Sequence, residues 1–288
     1  MAVKKTEDKD KQLPAVQPKQ ELAPNYNYGG KSGAGYEGTD ADDFTTPFLG
    51  LLQALSPEVA EGSLEGARPG MLINTVSKEL HDGKVGVFFV PVATQHVFVE
   101  WRPREKGGGI VARHEKRSDF IKELLAKGEF GSFKTAEGNE VIETFYMFGY
   151  LLDSADAPEP GSPMVISFTS TKIRVYKAIM QTLRTHLLPD RSTAPLWANR
   201  LLVKTVSQKN NKGSFFNFEI TPAKGKVGPS LISPTTEDGQ PNPLLLYGEM
   251  LNEQIVTGQR KMAEETRGGG VESDGEGGGN PGGGKVPF

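Results

Sequence analysis

The sequence predicts a mainly β fold: an antiparallel barrel with one interior helix, held between two disordered arms. Three observations carry this. Short runs rich in β-branched and aromatic residues recur through 71–220, separated by Gly-, Pro- and Asn-rich turns. One long interior stretch, 172–187, changes to a helical period. Both chain ends are charged and rich in Gly and Pro, with too little apolar surface to offset the entropy of folding. The predicted organisation is a disordered arm over 1–43, one β-rich domain over 44–263, and a disordered Gly-rich acidic tail over 264–288.

Taken in order, Phe48, Leu49, Leu51, Leu52 and Leu55 form a short apolar turn or helix ending before Pro57. Residues 71–76 read as a strand, and His81-Asp82-Gly83-Lys84 as a hairpin turn. Residues 85–92 are a strong strand that continues to Trp101 after a kink at Pro91. A basic, Gly-rich stretch follows over 102–116, then a short helix over 118–127. Strands are predicted at 141–152 and 164–168. Thr169-Ser170-Thr171 reads as a helix cap before apolar residues at 173, 175, 176, 179, 180, 183 and 187. A strand over 196–206 turns at Asn210-Asn211-Lys212-Gly213 into a partner over 214–220. Residues 244–263 suit one amphipathic helix. About seven strands in hairpins, without a βαβ rhythm, outline an OB-like barrel.

Composition narrows the function. No cysteine is present, so disulfides, thiolate metal sites and cysteine nucleophiles are excluded. The four histidines, at 81, 96, 114 and 186, show no metal spacing. No apolar run reaches the ~18–20 residues of a membrane span, and the N-terminus lacks a signal-peptide core. Gly29-Gly30-Lys31-Ser32-Gly33 imitates a phosphate loop but has Asn25 where the first glycine belongs. The expectation is a binding protein, with no catalytic residues, cofactor or metal.

Charge is partitioned. Residues 101–226 hold 20 Lys and Arg against 13 Asp and Glu, whereas acids lead 14 to 9 over 1–100 and 9 to 4 over 227–288. A basic centre between acidic ends suits an anionic ligand. Single-strand binding needs cations for phosphates and rings for bases. Three clusters offer them. The first is Trp101, Arg102, Arg104, Lys106 and Arg113, where strand alternation places Phe98 and Trp101 on opposite faces, one for the core and one for stacking. The second is Lys204, Lys209, Lys212 and Phe215 on the hairpin. The third is Lys172, Arg174 and Lys177, opening the interior helix. Together they predict one continuous cationic trough lined with ring faces.

The tail, from Gly268 to Pro287-Phe288, resembles the ends of bacterial and phage single-stranded DNA-binding proteins: a Gly/Pro-rich linker, acids, and a terminal Pro-Phe. It departs in placing Lys285, not an acid, against the terminal residues. The body is similar to phage proteins of the same class in Leu51-Leu52-Gln53-Ala54-Leu55-Ser56-Pro57-Glu58, in Gly66-Ala67-Arg68-Pro69-Gly70, in the Val-Glu-Trp strand with its triple-glycine loop (99–109), and in Ser167-Phe168-Thr169-Ser170-Thr171. The resemblance implies sequence-independent binding of single-stranded DNA in phage replication, recombination or repair, in the cytoplasm of an infected host. It also implies recruitment of partner proteins through Val286, Pro287 and Phe288. A strand-annealing or mediator protein and a virion assembly protein are the alternatives, and oligomeric state stays open.

Overall fold

The computed structural model describes residues 45–126, 133–188, 190–211, 213–223 and 231–263, besides Gly35 and Gly38. The arms predicted at 1–43 and 264–288 lie almost wholly outside them. The elements are β1 (Leu49–Leu51), α1 (Pro57–Ala60), β2 (Leu72–Asn74), β3 (Leu80–His81), β4 (Val87–Trp101), β5 (Ile110–Glu115), α2 (Asp119–Ala126), β6 (Phe133–Lys134), β7 (Glu140–Leu152), β8 (Pro163–Thr169), α3 (Lys172–Leu183), β9 (Leu201–Asn210), β10 (Gly213–Pro222) and α4 (Pro243–Val256). The strands pair antiparallel throughout, and the mainly β class is as the sequence predicts.

β1, β2 and β3 form a small sheet, and the other seven strands form one large sheet. Its spine is the pair β4 and β7, in register from Phe88↔Leu152 to Trp101↔Glu140. At one end of the spine the order is β10-β9-β4-β7-β8. At the other end β5 and β6 flank the same two strands.

Pro91 explains how the long β4 serves both ends. It lacks an N–H for the ladder, and the strand absorbs it as a bulge: Pro91 pairs with Gly149 and Ala93 with Phe148, leaving Val92 extra. Asn252 Nδ2 donates to the Val92 carbonyl at 2.8 Å. The extra residue swaps the faces. Before it, Val87 and Phe89 pack with α3; after it, Val97, Val99 and Trp101 pack in the core under Leu244 and Leu251 of α4.

The core beneath α3 takes side chains from β1, β4, β7, β8, β9 and β10, so the large sheet curls around it. Its edge strands β8 and β10 do not pair with each other among the described residues. Residues 46–53 span between them. The Val165 N–H donates to the Pro47 carbonyl at 2.9 Å, and Gln53 bonds the backbone of Phe216. The strand pairings therefore do not close a barrel.

Several expectations change. The apolar segment after Thr46 enters β1 rather than a helix, because its backbone pairs with β2 and bridges to Val165. His81-Asp82-Gly83-Lys84 does not join a hairpin; β3 pairs back onto β2. Within 102–116, Ile110–Glu115 is an edge strand whose alternate residues Val111, Arg113 and Glu115 are exposed. Residues 196–198 make a 3-10 turn, and the strand starts only at Leu201. Thr171 has helical backbone angles and makes no side-chain cap. α4 is capped by Asn242, which accepts from the Leu244 N–H at 3.0 Å, and it stops at Val256. None of the described helices is long and apolar enough to cross a membrane.

Candidate nucleic-acid interface

Pairing of β9 with β4 stops at Phe89, and pairing of β5 with β4 starts at Val97. Between these limits one side of β4 has no neighbouring strand among the described residues. The notch leaves Thr94 and Gln95 exposed and His96 half-buried. Cross-strand register then dictates what surrounds His96. Phe145 lies opposite it on β7, and Phe168 lies opposite Phe145 on β8. Tyr176 of α3 completes a row of rings on this face. Centroids are 5.4 Å apart for Phe168–Tyr176, 4.6 Å for Tyr176–Phe145, 3.9 Å for Phe145–His96 and 5.7 Å for His96–Phe98. Lys177 sets its ammonium 5.7 Å from the centre of the Phe145 ring, a cation–π distance.

His96 Nε2 meets Glu143 Oε1 at 2.9 Å. Burial is the largest influence on the imidazole and pushes its pKa below the ordinary histidine value. Glu143 pulls it back up, and Lys116 and Lys177 push it down further. The ring is therefore neutral at neutral pH. Against a carboxylate oxygen Nε2 donates, which leaves Nδ1 an acceptor. A second pair lies beyond Phe98: His114 Nε2 to Glu100 Oε2 at 2.8 Å, with Asn139 Nδ2 donating to Glu100 Oε1 at 2.6 Å. The His114 ring rests against Phe120 of α2 at 4.3 Å. This pair is more deeply placed and ties β4, β5, α2 and the turn before β7 together.

The rim of the notch is basic. α3 carries Lys172, Arg174 and Lys177 and no acid, and Arg184 follows its last turn. Arg174, Lys177 and Arg184 are exposed, while Lys172 is half-buried. Lys116, exposed at the end of β5, stands on the other flank. The sequence singled out Lys172, Arg174 and Lys177 but missed Thr94, His96, Lys116, Glu143, Phe145 and Arg184. A lone histidine in a strand reads as core, and only the strand register brings these residues together.

The β9–β10 hairpin is the second basic element. Leu201 to Thr205 alternate between buried and half-buried, and then Val206 to Asn210 are exposed without a break. The ribbon thus leaves the sheet as an arm. Lys209 is exposed on it, Lys204 is half-buried at its root beside Glu219, and Phe215 is half-buried opposite Gln208. Lys212 lies outside the described residues.

The cluster around Trp101 requires correction. Phe98 and Trp101 do lie on opposite faces, but both are core: Phe98 packs under α2 and Trp101, only 6% exposed, lies in the α4 core. Neither offers a face for stacking. Arg102, Lys106 and Arg113 are exposed, with Lys106 Nζ donating to the Glu137 carbonyl at 2.8 Å. Arg104 sits in a 3-10 turn, and its side chain lies outside the described atoms. Nor do the three clusters form one trough. β9 runs past the start of β4, so the arm tip and Arg102 are separated by about 70 Å of strand path. The tail residues Val286, Pro287 and Phe288 lie outside the described residues.

Among the described residues no group of three or more His, Asp or Glu side chains is arranged to hold a metal ion. No curated protein and no solved structure matches the chain. A family model described as Pam3 phage gp34-like protein matches residues 16–260, which takes in the notch, α3 and the arm. That match points to a bacteriophage source, and the chain belongs to the Pam3 phage gp34-like protein family.

Proposed function

We propose that this protein binds single-stranded DNA, largely without regard to sequence, as a non-catalytic factor in phage DNA replication, recombination or repair. In this reading the curled sheet acts as an OB-like barrel whose β9–β10 arm grips the strand. The observation that carries it is the notch: a stretch of β4 edge left uncovered at Thr94 and Gln95, with exposed Lys116 and Lys177 beside His96 and with Arg174 and Arg184 exposed on the same helix or just after it. The acid-free basic helix α3 supplies the phosphate contacts that single-strand binding requires. The arm supplies a second set. The C-terminal tail, with Val286, Pro287 and Phe288, is assigned to recruiting partner proteins.

Titration of labelled single-stranded and double-stranded DNA at two salt concentrations tests this. Tighter binding to the single strand, weakening steeply with salt, is the expected result. No salt-sensitive binding to single strands would end the proposal.

A further inference from the structure

We propose that the outer edge of β5 pairs with the same edge of a second copy of this chain. The two strands run antiparallel about a two-fold axis at His114, so that Arg113 of each protomer faces Glu115 of the partner subunit. The proposal does not rest on the single-strand reading.

The edge itself comes first. β5 pairs with β4 from Val97↔Glu115 to Trp101↔Ile110, and no strand pairs with its other side among the described residues. An unpaired strand edge is a template for another strand unless a proline, a bulge or a cover blunts it. β5 has no proline, and its bulge sits at one end. Glu100 pairs with Ala112 and Trp101 with Ile110, which leaves Val111 extra. The regular ladder therefore runs over Ala112 to Glu115.

Charge selects the occupant. Arg113 and Glu115 project from one face of the strand, and both are exposed. Neither side chain has an ion-pair partner among the described residues. In a sheet continued about a two-fold axis normal to it, one residue must face its own copy. A centre at Arg113 opposes two guanidinium groups, and a centre at Glu115 opposes two carboxylates; like charges directly opposite are destabilising. Centres at Val111 or Ala112 draw the bulge into the ladder. A centre at His114 avoids all of these. It sets Arg113 opposite the partner's Glu115 and Glu115 opposite the partner's Arg113, two ion pairs from one register. His114 keeps its bond to Glu100 and its contact with Phe120, so it needs nothing from the other copy. A basic residue and an acidic one two positions apart on an edge strand are complementary to themselves when the strand is reversed, and the second copy already carries that order.

Light scattering of the full chain at micromolar concentration should give twice the 31.2 kDa chain mass. Arg113→Glu and Glu115→Arg should each be monomeric, because each opposes like charges at both pairs. Both positions are exposed, so both variants should fold. Mixed in equal amounts, the two variants should return to the doubled mass, since the acidic edge of one then faces the basic edge of the other. A monomeric unsubstituted chain overturns the proposal. So does a dimer that persists in both single variants, or a mixture that stays monomeric. Amide exchange gives a check that needs no variant: within β5 of the unsubstituted protein it should quicken on dilution to the monomer. Exchange in β5 that is indifferent to dissociation places the contact elsewhere and also overturns the proposal.

Discussion

The side-chain amide of Gln53 pairs with Phe216 as a strand would, donating from Nε2 to its carbonyl at 2.8 Å and accepting its N–H at Oε1 at 2.9 Å. One side chain thus finishes the β10 edge at the point where the arm leaves the sheet. Nearby, Thr205 bonds Gly83 through its backbone and Gly70 through its hydroxyl, holding the β9 side of the same root. Gln53→Ala should cost about 1–3 kcal/mol, since it leaves two half-buried backbone groups without partners. It should also raise hydrogen exchange along β10 before the rest of the sheet. Denaturant melts and amide exchange check both; uniform exchange with unchanged stability would show that the amide pair is dispensable.

The cations of α3 offer a quantitative test of the rim. Each residue that contacts a phosphate of a single strand contributes about 0.7 to the slope of log affinity against log salt. Arg174→Ala combined with Lys177→Ala should lower that slope by about 1.4, and these exposed positions should change folding stability little. Lys209→Ala on the arm should lower it by a further ~0.7. An unchanged slope in the triple variant would place the strand elsewhere on the molecule.

Trp101 separates core from site directly. The chain has two tryptophans, and Trp197 is half-buried against Gly248 of α4. In a Trp197→Phe background, emission from the buried Trp101 should stay unchanged as single-stranded DNA saturates the protein. Trp101→Ala should instead destabilise the fold by about 3–5 kcal/mol, the cost of emptying a large buried side chain. Strong quenching on binding would show that the indole reaches the ligand.

Much of the scaffold was legible because its signals are local. The β-branched and aromatic runs around Val90 and Tyr146 mark β4 and β7, Pro91 marks the bulge, and Asn210-Asn211 marks the arm's turn. The notch was not legible, because it exists only where two pairings of β4 end, at Phe89 and at Val97. The same gap misled the reading of Trp101. Alternation correctly separated it from Phe98, yet alternation says nothing of a cover on both faces, here α2 and α4. β5 was hidden because an edge strand tolerates the charges that made Ile110–Glu115 resemble a loop.

Gly149 is the strictest point of the spine. It stands opposite Pro91 at the bulge, and a methyl group there would lie 2.2 Å from the Val90 carbonyl oxygen and 2.3 Å from the Phe89 ring. The oxygen belongs to backbone and cannot rotate away. Gly149→Ala should therefore cost about 3 kcal/mol, measured as a lower denaturation midpoint. A change below about 0.5 kcal/mol would mean that β4 and β7 are less closely packed than described.

Acid should weaken the fold through His96. Burial holds the His96 pKa below the ordinary histidine value, so the ring stays neutral until the pH falls past that value. Its unfolded counterpart binds a proton first. The stability this pair contributes is thus complete above the ordinary histidine pKa and is lost as the pH falls through the lower folded value. Stability measured by denaturant melts should accordingly fall as the pH drops below about 6.5, the ordinary histidine value, and His96→Phe should fall less steeply. An identical acid dependence in His96→Phe would assign the titrating group to some other residue.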